Sequence, residues 1–152
     1  MSLRERIASE LKQATRSRDA LRLSTLRLIN ATIKDREIAR RGDDDAQEIS
    51  DADIVAIIGR MVKQRQESAR AFEEGGRMEL AERERAEIVI LEEFLPRQMS
   101  EAEIRGAIEA EIDATGANSV RDMGRVMAKL KERYAGQMDF GKVGPMVRQR
   151  LG

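Results

Sequence analysis

Cysteine, histidine and tryptophan are all absent from the 152 residues. Without cysteine the fold cannot rest on disulfides and needs no oxidising compartment. Without histidine the commonest general base, the commonest metal ligand and the natural switch near neutral pH are gone. A Ser-His-Asp triad is therefore impossible. No Gly-rich loop runs into Lys and Ser/Thr, which excludes a P-loop, and no Gly-x-Ser-x-Gly elbow occurs. Long apolar runs are missing too: nothing approaches the ~20 residues that span a bilayer. The opening Met1-Ser2-Leu3-Arg4-Glu5-Arg6 has no apolar segment behind its charges, and Glu5 and Glu10 sit among its arginines. That pattern fits neither a secretory signal nor an organelle presequence. The expectation is a cytoplasmic protein with no membrane partner, no cofactor and no metal.

Prolines number only two, phenylalanines three and tyrosines one, while Ala, Glu, Arg and Leu abound. Such a composition favours helix nearly everywhere, and no alternating run is long enough for a strand. The expected class is all-α, with N-terminal helical hairpins followed by a three-helix C-terminal part. A chain of this length buries roughly 70% of its unfolded surface and needs no metal staple. The first helix is expected from Ser2 to Thr15 on Leu3, Ile7 and Leu11. Asp19 caps a second, to Arg40, packed by Leu21, Leu26, Leu28, Ile29 and Ile33. Gly42 and Asp43-Asp44-Asp45 then form an acidic loop. It lacks the glycine an EF-hand requires, Glu48 standing at that position, and reads as solvated.

Ser50 caps a long third helix with the stripe Ile54, Ile57, Ile58, Met61, Val62, Ala69 and Phe72, closed at Gly75-Gly76. A fourth carries Leu80, Ala81, Ile88, Leu91 and Leu95 until Pro96 stops it. Residues 96–100 are the best candidate boundary, giving domains 1–95 and 96–152. Beyond it, Ser100-Glu101-Ala102-Glu103 is a capping box leading Ile104, Ile108 and Ile112 to Gly116. Ser119 is expected to cap a sixth helix, with Asp122 at its third position and Val120, Met123, Met127, Leu130 and Tyr134 on one face. Gly136 ends it. Asp139 caps the last, with Phe140, Val143, Val147 and Leu151 inward.

Charge is balanced overall, at 28 bases and 28 acids, but not locally. Residues 1–41 hold 11 Lys/Arg against 5 Asp/Glu, and residues 116–152 hold 8 against 3. The most informative feature lies in the sixth helix, where Arg121, Arg125, Lys129 and Arg133 recur every fourth residue. At about 100° per residue each step drifts about 40°, so the four sweep one broad face. The apolar stripe lies roughly 150° away, and Lys131 falls slightly off the line. Two readings stay open: a solvated face whose cations suit a helix C-terminal half, or a phosphate-contacting surface. Arg27, Lys34 and Arg41, and Arg60, Lys63 and Arg70, make weaker stripes. The four aromatics fall on apolar stripes and read as core, which disfavours base stacking on an aromatic platform. A bound RNA is then a folded one, read by shape and backbone. Gly124, in the middle of the same helix, costs about 1 kcal/mol relative to Ala. It therefore suggests close approach of a neighbouring helix or of a ligand. Gly59 and Gly106 invite the neighbouring-helix reading.

Leu95-Pro96, Ser100-Glu101, Gly116-Ala117-Asn118-Ser119, Asp122-Met123-Gly124-Arg125-Val126-Met127 and Gly136 with Asp139 resemble the tail domain of the B subunit of the tRNA-dependent amidotransferase. Together with Met1-Ser2-Leu3 and Leu26-Arg27-Leu28-Ile29, the whole chain is similar to the stand-alone members of the GatB/YqeY family. The resemblance implies an all-α fold and contact with tRNA or aminoacyl-tRNA through Arg121, Arg125 and Lys129, without DNA. It also implies kinship with carbon–nitrogen ligases that use glutamine as amido donor, although neither the acyl-activating cradle nor the amidase serine has a counterpart here. Such a chain is expected to be a tRNA-associated accessory, a component of such a ligase completed by a partner, or a helical adaptor for a translation-related protein. An adaptor would present Met61, Met78 or Ile90 together at the surface. Pro145 departs from the family pattern: it is expected to kink the last helix or restart it, with Gly141 and Gly144 softening the same stretch.

Overall fold

The computed structural model describes residues 1–42 and 48–152. The acidic run Asp43-Asp44-Asp45 thus lies outside the described residues. Those residues form helices and no strand, and the chain divides into two compact units, Met1–Leu95 and Pro96–Gly152.

The first unit contains α1 (Leu3–Ser17), α2 (Ala20–Arg40), α3 (Asp51–Glu74) and α4 (Met78–Glu92). Local chemistry sets their ends. The Ser2 hydroxyl accepts from the Glu5 N–H, and the Asp19 carboxylate from the Arg22 N–H. At α3, Ser50 and Asp53 form a reciprocal capping box. Arg18 closes α1 in the left-handed region at φ 58°, so that α2 folds straight back on α1. Ile7, Leu26, Ile29, Ile33, Ile54, Ile58 and Leu91 are almost completely buried and build one core. Leu28, expected inside, is 45% exposed. It stands two residues, about 200°, round the helix from Leu26. Thr25 takes a buried place by turning its hydroxyl onto the Leu21 carbonyl at 2.8 Å.

Charged side chains fasten the helices of this unit. The Arg22 guanidinium bridges Glu93 at 2.6 Å and Glu10 at 2.8 Å, and those carboxylates, Glu93 first, raise its pKa. Arg65 pairs with Glu87 at 2.8 Å between α3 and α4, both ends largely buried. Arg6 lies over the Phe94 ring at 4.9 Å and donates to the Glu93 carbonyl. Gly59 is not a close-approach glycine: a Cβ there would meet no atom within 4 Å.

The second unit contains α5 (Glu101–Thr115), a 3-10 turn (Val120–Asp122), α6 (Met123–Arg133) and α7 (Phe140–Leu151). Ser100 and Glu103 form the expected capping box, and Gly116 ends α5 at φ 68°. The Gln98 amide donates to the Gly136 carbonyl at 2.6 Å and the Met99 N–H to Gln137, which straps residues 96–100 to the α6–α7 turn. Ile108, Ile112, Val126, Leu130, Val143 and Val147 form the core, with Met123, Met127, Tyr134 and Phe140 packed at its edge.

Pro145 neither breaks nor restarts α7, which runs through it from Phe140 to Leu151. The usual pre-proline clash involves the preceding Cβ, and the preceding residue is Gly144, which has none. Asp139 caps this helix by accepting from the Gly141 N–H at 2.9 Å.

Candidate nucleic-acid interface

The basic face of α6 arises from its two-sided sequence. Val126 and Leu130 are completely buried, while Arg125, Lys129 and Lys131 are exposed on the other side. The helix does not start where the sequence suggests. Ser119 makes no side-chain capping bond, and Val120–Asp122 is a separate 3-10 turn closed by Asp122 N–H to Ser119 carbonyl at 3.0 Å. Asp122 is therefore not at the third position of a Ser119-capped helix. Its carboxylate instead reaches back to accept from the Asn118 N–H at 3.1 Å and forward to Arg125 at 2.6 Å. Those donors, the Asn118 amide first, hold its pKa below the usual carboxylate range. Asp122 thus fastens the Gly116–Ser119 loop to the head of α6. Met123 turns inward onto the core.

Gly124 is exposed, and a Cβ built on it meets nothing within 4 Å; the same holds for Gly106. No neighbouring helix approaches either residue within its unit, so the packing explanation fails. Gly124 is also not a mid-helix residue, since α6 begins at Met123. At Gly144, which is buried, a Cβ would lie 3.7 Å from the Met123 Cε, an ordinary van der Waals contact.

The cations of the face separate by partner. Arg121 and Lys131 are exposed and have no ion-pair partner among the described residues. Arg125 pairs with Asp122, and Lys129 reaches Glu132 at 3.6 Å, with cation side chains 61% and 53% exposed. Exposed pairs of this kind contribute about 0–1 kcal/mol, so a phosphate can displace them cheaply. Arg133 differs. Its Nε lies 3.1 Å from the Glu111 carboxylate as an ion pair, and the Glu111 side chain is only 3% exposed. Arg133 is thereby committed to neutralising a buried carboxylate on α5. Sequence reasoning missed Glu111, although it lies in the inward column of Ala107, Ile108 and Ile112, where an acid demands a partner.

A second feature lies beside this face. Met123, Gly144, Pro145, Arg148 and Gln149 line a cleft of about 310 Å³ between the head of α6 and α7. Among the described residues no group of three or more acidic side chains converges as a metal site would require. No helix among them is long and apolar enough to cross a membrane.

Comparison with known proteins adds a family and three yeast relatives. The model of the family described as Yqey-like protein matches residues 4–151. The chain is 30% identical over 139 residues to the "Altered inheritance of mitochondria protein 41, mitochondrial" of Lachancea thermotolerans, covering 91% of this chain and 69% of that protein. The proteins of the same name from Clavispora lusitaniae and Kluyveromyces lactis are 36% and 35% identical over 86 and 88 residues. Those two matches cover 57% and 58% of this chain, and 47% and 45% of the relatives.

Proposed function

Because the chain belongs to the Yqey-like protein family, we propose that it is a tRNA-associated accessory protein that holds RNA on α6 and performs no chemistry of its own. One observation carries this reading. Arg121 on the 3-10 turn and Arg125, Lys129 and Lys131 on α6 behind it are all exposed, two of them unpaired and two held only by surface pairs. The helix rises about 1.5 Å per residue, so Arg125, Lys129 and Lys131 span roughly 9 Å of its axis, with Arg121 on the turn that precedes it. The likeness of residues 96–152 to the amidotransferase tail, which helps hold the tRNA in that enzyme, supports the same assignment. The adaptor reading has less in its favour: of Met61, Met78 and Ile90, Met78 is 52% exposed, but Met61 and Ile90 are 5% and 9% exposed and do not join it at the surface.

The test is binding of purified protein to total tRNA by fluorescence anisotropy across a salt series. Four phosphate contacts give a slope of log affinity against log salt of about −3. The variant with Arg121, Arg125 and Lys129 all changed to Glu is expected to lose binding while keeping its helical circular dichroism. Absence of wild-type binding at low salt, or equal binding by the variant, would remove RNA from this helix.

A further inference from the structure

The cleft between α6 and α7 has the composition of a site for one planar, partly polar group. Its apolar lining comes from Met123, Gly144 and Pro145. Its two polar walls are Arg148 and Gln149, both exposed, and neither side chain has a partner among the described residues. Its volume of about 310 Å³ sits at the small end of the ~300–1,000 Å³ usual for ligand pockets. It accommodates a single ring system rather than an extended cofactor.

Charge selects the class of ligand. In residues 116–152 every acid is already engaged: Asp122 with Arg125 and the Asn118 amide, Glu132 with Lys129, and Asp139 at the cap of α7. Arg121, Lys131, Lys142 and Arg148 remain without ion-pair partners among the described residues. Within residues 116–152 four such cations stand against no unengaged acid, a balance that complements a polyanion. The residue next to the cleft-lining Met123 is Gly124, whose open side leaves room for a backbone to lie close. Sequence-reading contacts to RNA are made on unstacked bases, which lie against aromatic rings or against guanidinium planes. The aromatic side chains of this unit, Tyr134 and Phe140, are packed at the core's edge. Arg148 offers the guanidinium alternative.

We propose that this cleft receives one unstacked nucleobase of the bound RNA, with the Arg148 guanidinium lying against the base and the Gln149 amide hydrogen-bonding its edge. The proposal rests on the RNA reading above and adds a base-contacting pocket to a surface that otherwise meets phosphates. It makes Arg148 different in kind from Arg121. A lysine keeps the charge of Arg148 but has no plane to present to a base.

The experiment is total-tRNA binding by anisotropy for wild type, Arg148→Lys, Gln149→Ala and Arg121→Lys, each across the same salt series. All three positions are exposed, and circular dichroism confirms folding. Arg148→Lys is expected to weaken binding about tenfold with the salt slope unchanged, the size of one lost stacking contact. Gln149→Ala is expected to weaken it less, again without a change of slope, and Arg121→Lys to bind as wild type. Wild-type affinity in both Arg148→Lys and Gln149→Ala would overturn the pocket and leave Arg148 a phosphate contact. Loss in Arg148→Lys that is matched by Arg121→Lys would also overturn it, since a general preference for arginine needs no pocket. These results leave the α6 reading standing. Failure of wild type to bind tRNA at all removes both proposals together.

Discussion

Replacing Arg133 by methionine removes the guanidinium and keeps most of the aliphatic stem, so it isolates the ion pair with Glu111. The two ends of that pair differ: the Glu111 side chain is 3% exposed and Arg133 62%. Removing one partner of a fully buried pair costs about 3–5 kcal/mol, whereas an exposed pair contributes under about 1 kcal/mol. With one end buried and the other wet, the cost falls between, at about 2 kcal/mol. Glu111→Gln deletes the charge that needs a partner and should cost about 1 kcal/mol or less. The double variant should then be scarcely worse than Glu111→Gln alone, a coupling of about 2 kcal/mol. The assay is urea unfolding followed by tyrosine fluorescence. Tyr134 is the one tyrosine of a chain without tryptophan, and it packs at the core of the second unit, so the signal reports on that unit. For a unit this small, with a urea slope near 1 kcal/mol per molar, the expected shift of the Arg133→Met midpoint is roughly 2 M. Additive single variants, or a midpoint shift under about 0.3 M, would refute the pairing and return Arg133 to the cations available for RNA. The same variant should keep tRNA affinity under conditions where it is folded, which separates it from Arg121 and Arg125.

The remaining predictions concern caps, a glycine and acid stability. Ser100→Ala should cost about 1 kcal/mol by the same tyrosine signal because it dismantles a capping box. Ser119→Ala, which loses no capping bond, should stay within about 0.5 kcal/mol of wild type. Gly124→Ala should raise stability by about 0.5–1 kcal/mol, since its Cβ meets no atom. It should also weaken tRNA binding, a combination that misfolding cannot produce; unchanged affinity would show that RNA does not lie close to this residue. Asp53 and Glu103 are each held down to about 2. The Ser50 amide is the leading cause for Asp53, ahead of Arg40, and Arg97 is the leading cause for Glu103, ahead of the Ser100 amide. Depressed carboxylate pKa values stabilise the fold above the ordinary value near 4, and that contribution disappears as pH falls from about 4 through about 2. The urea midpoint should therefore drop across that window, and less steeply in Asp53→Asn combined with Glu103→Gln. An equal drop in the double variant would show that other carboxylates carry the acid response.

Helix identity and most helix ends follow from local rules, and so were legible in the sequence. Asp19, Ser50, Ser100 and Asp139 cap because a short polar side chain can reach an unpaired N–H two or three residues on, and Gly116 closes α5 because it adopts positive φ without strain. The inward stripe of α3, and that of α6 from Met123 to Tyr134 with the basic face opposite, follow from helical periodicity alone, whereas Val120, expected inward, lies in the 3-10 turn and is 44% exposed. Tertiary structure decided what periodicity leaves undetermined. Leu28, expected inside, is exposed while Thr25 is buried, because burial depends on which neighbours flank a helix. Ser119 yielded its capping role when Asp122 turned back to the Asn118 amide. Four cations at regular spacing looked equivalent along the chain, yet a buried carboxylate on another helix, 22 residues away, claimed Arg133 and left Arg121 unpaired. The cleft at Gly144 and Arg148 exists only where α7 crosses the head of α6. Local sequence fixes which way a side chain points from its own helix, and only packing brings distant helices together to determine what it meets.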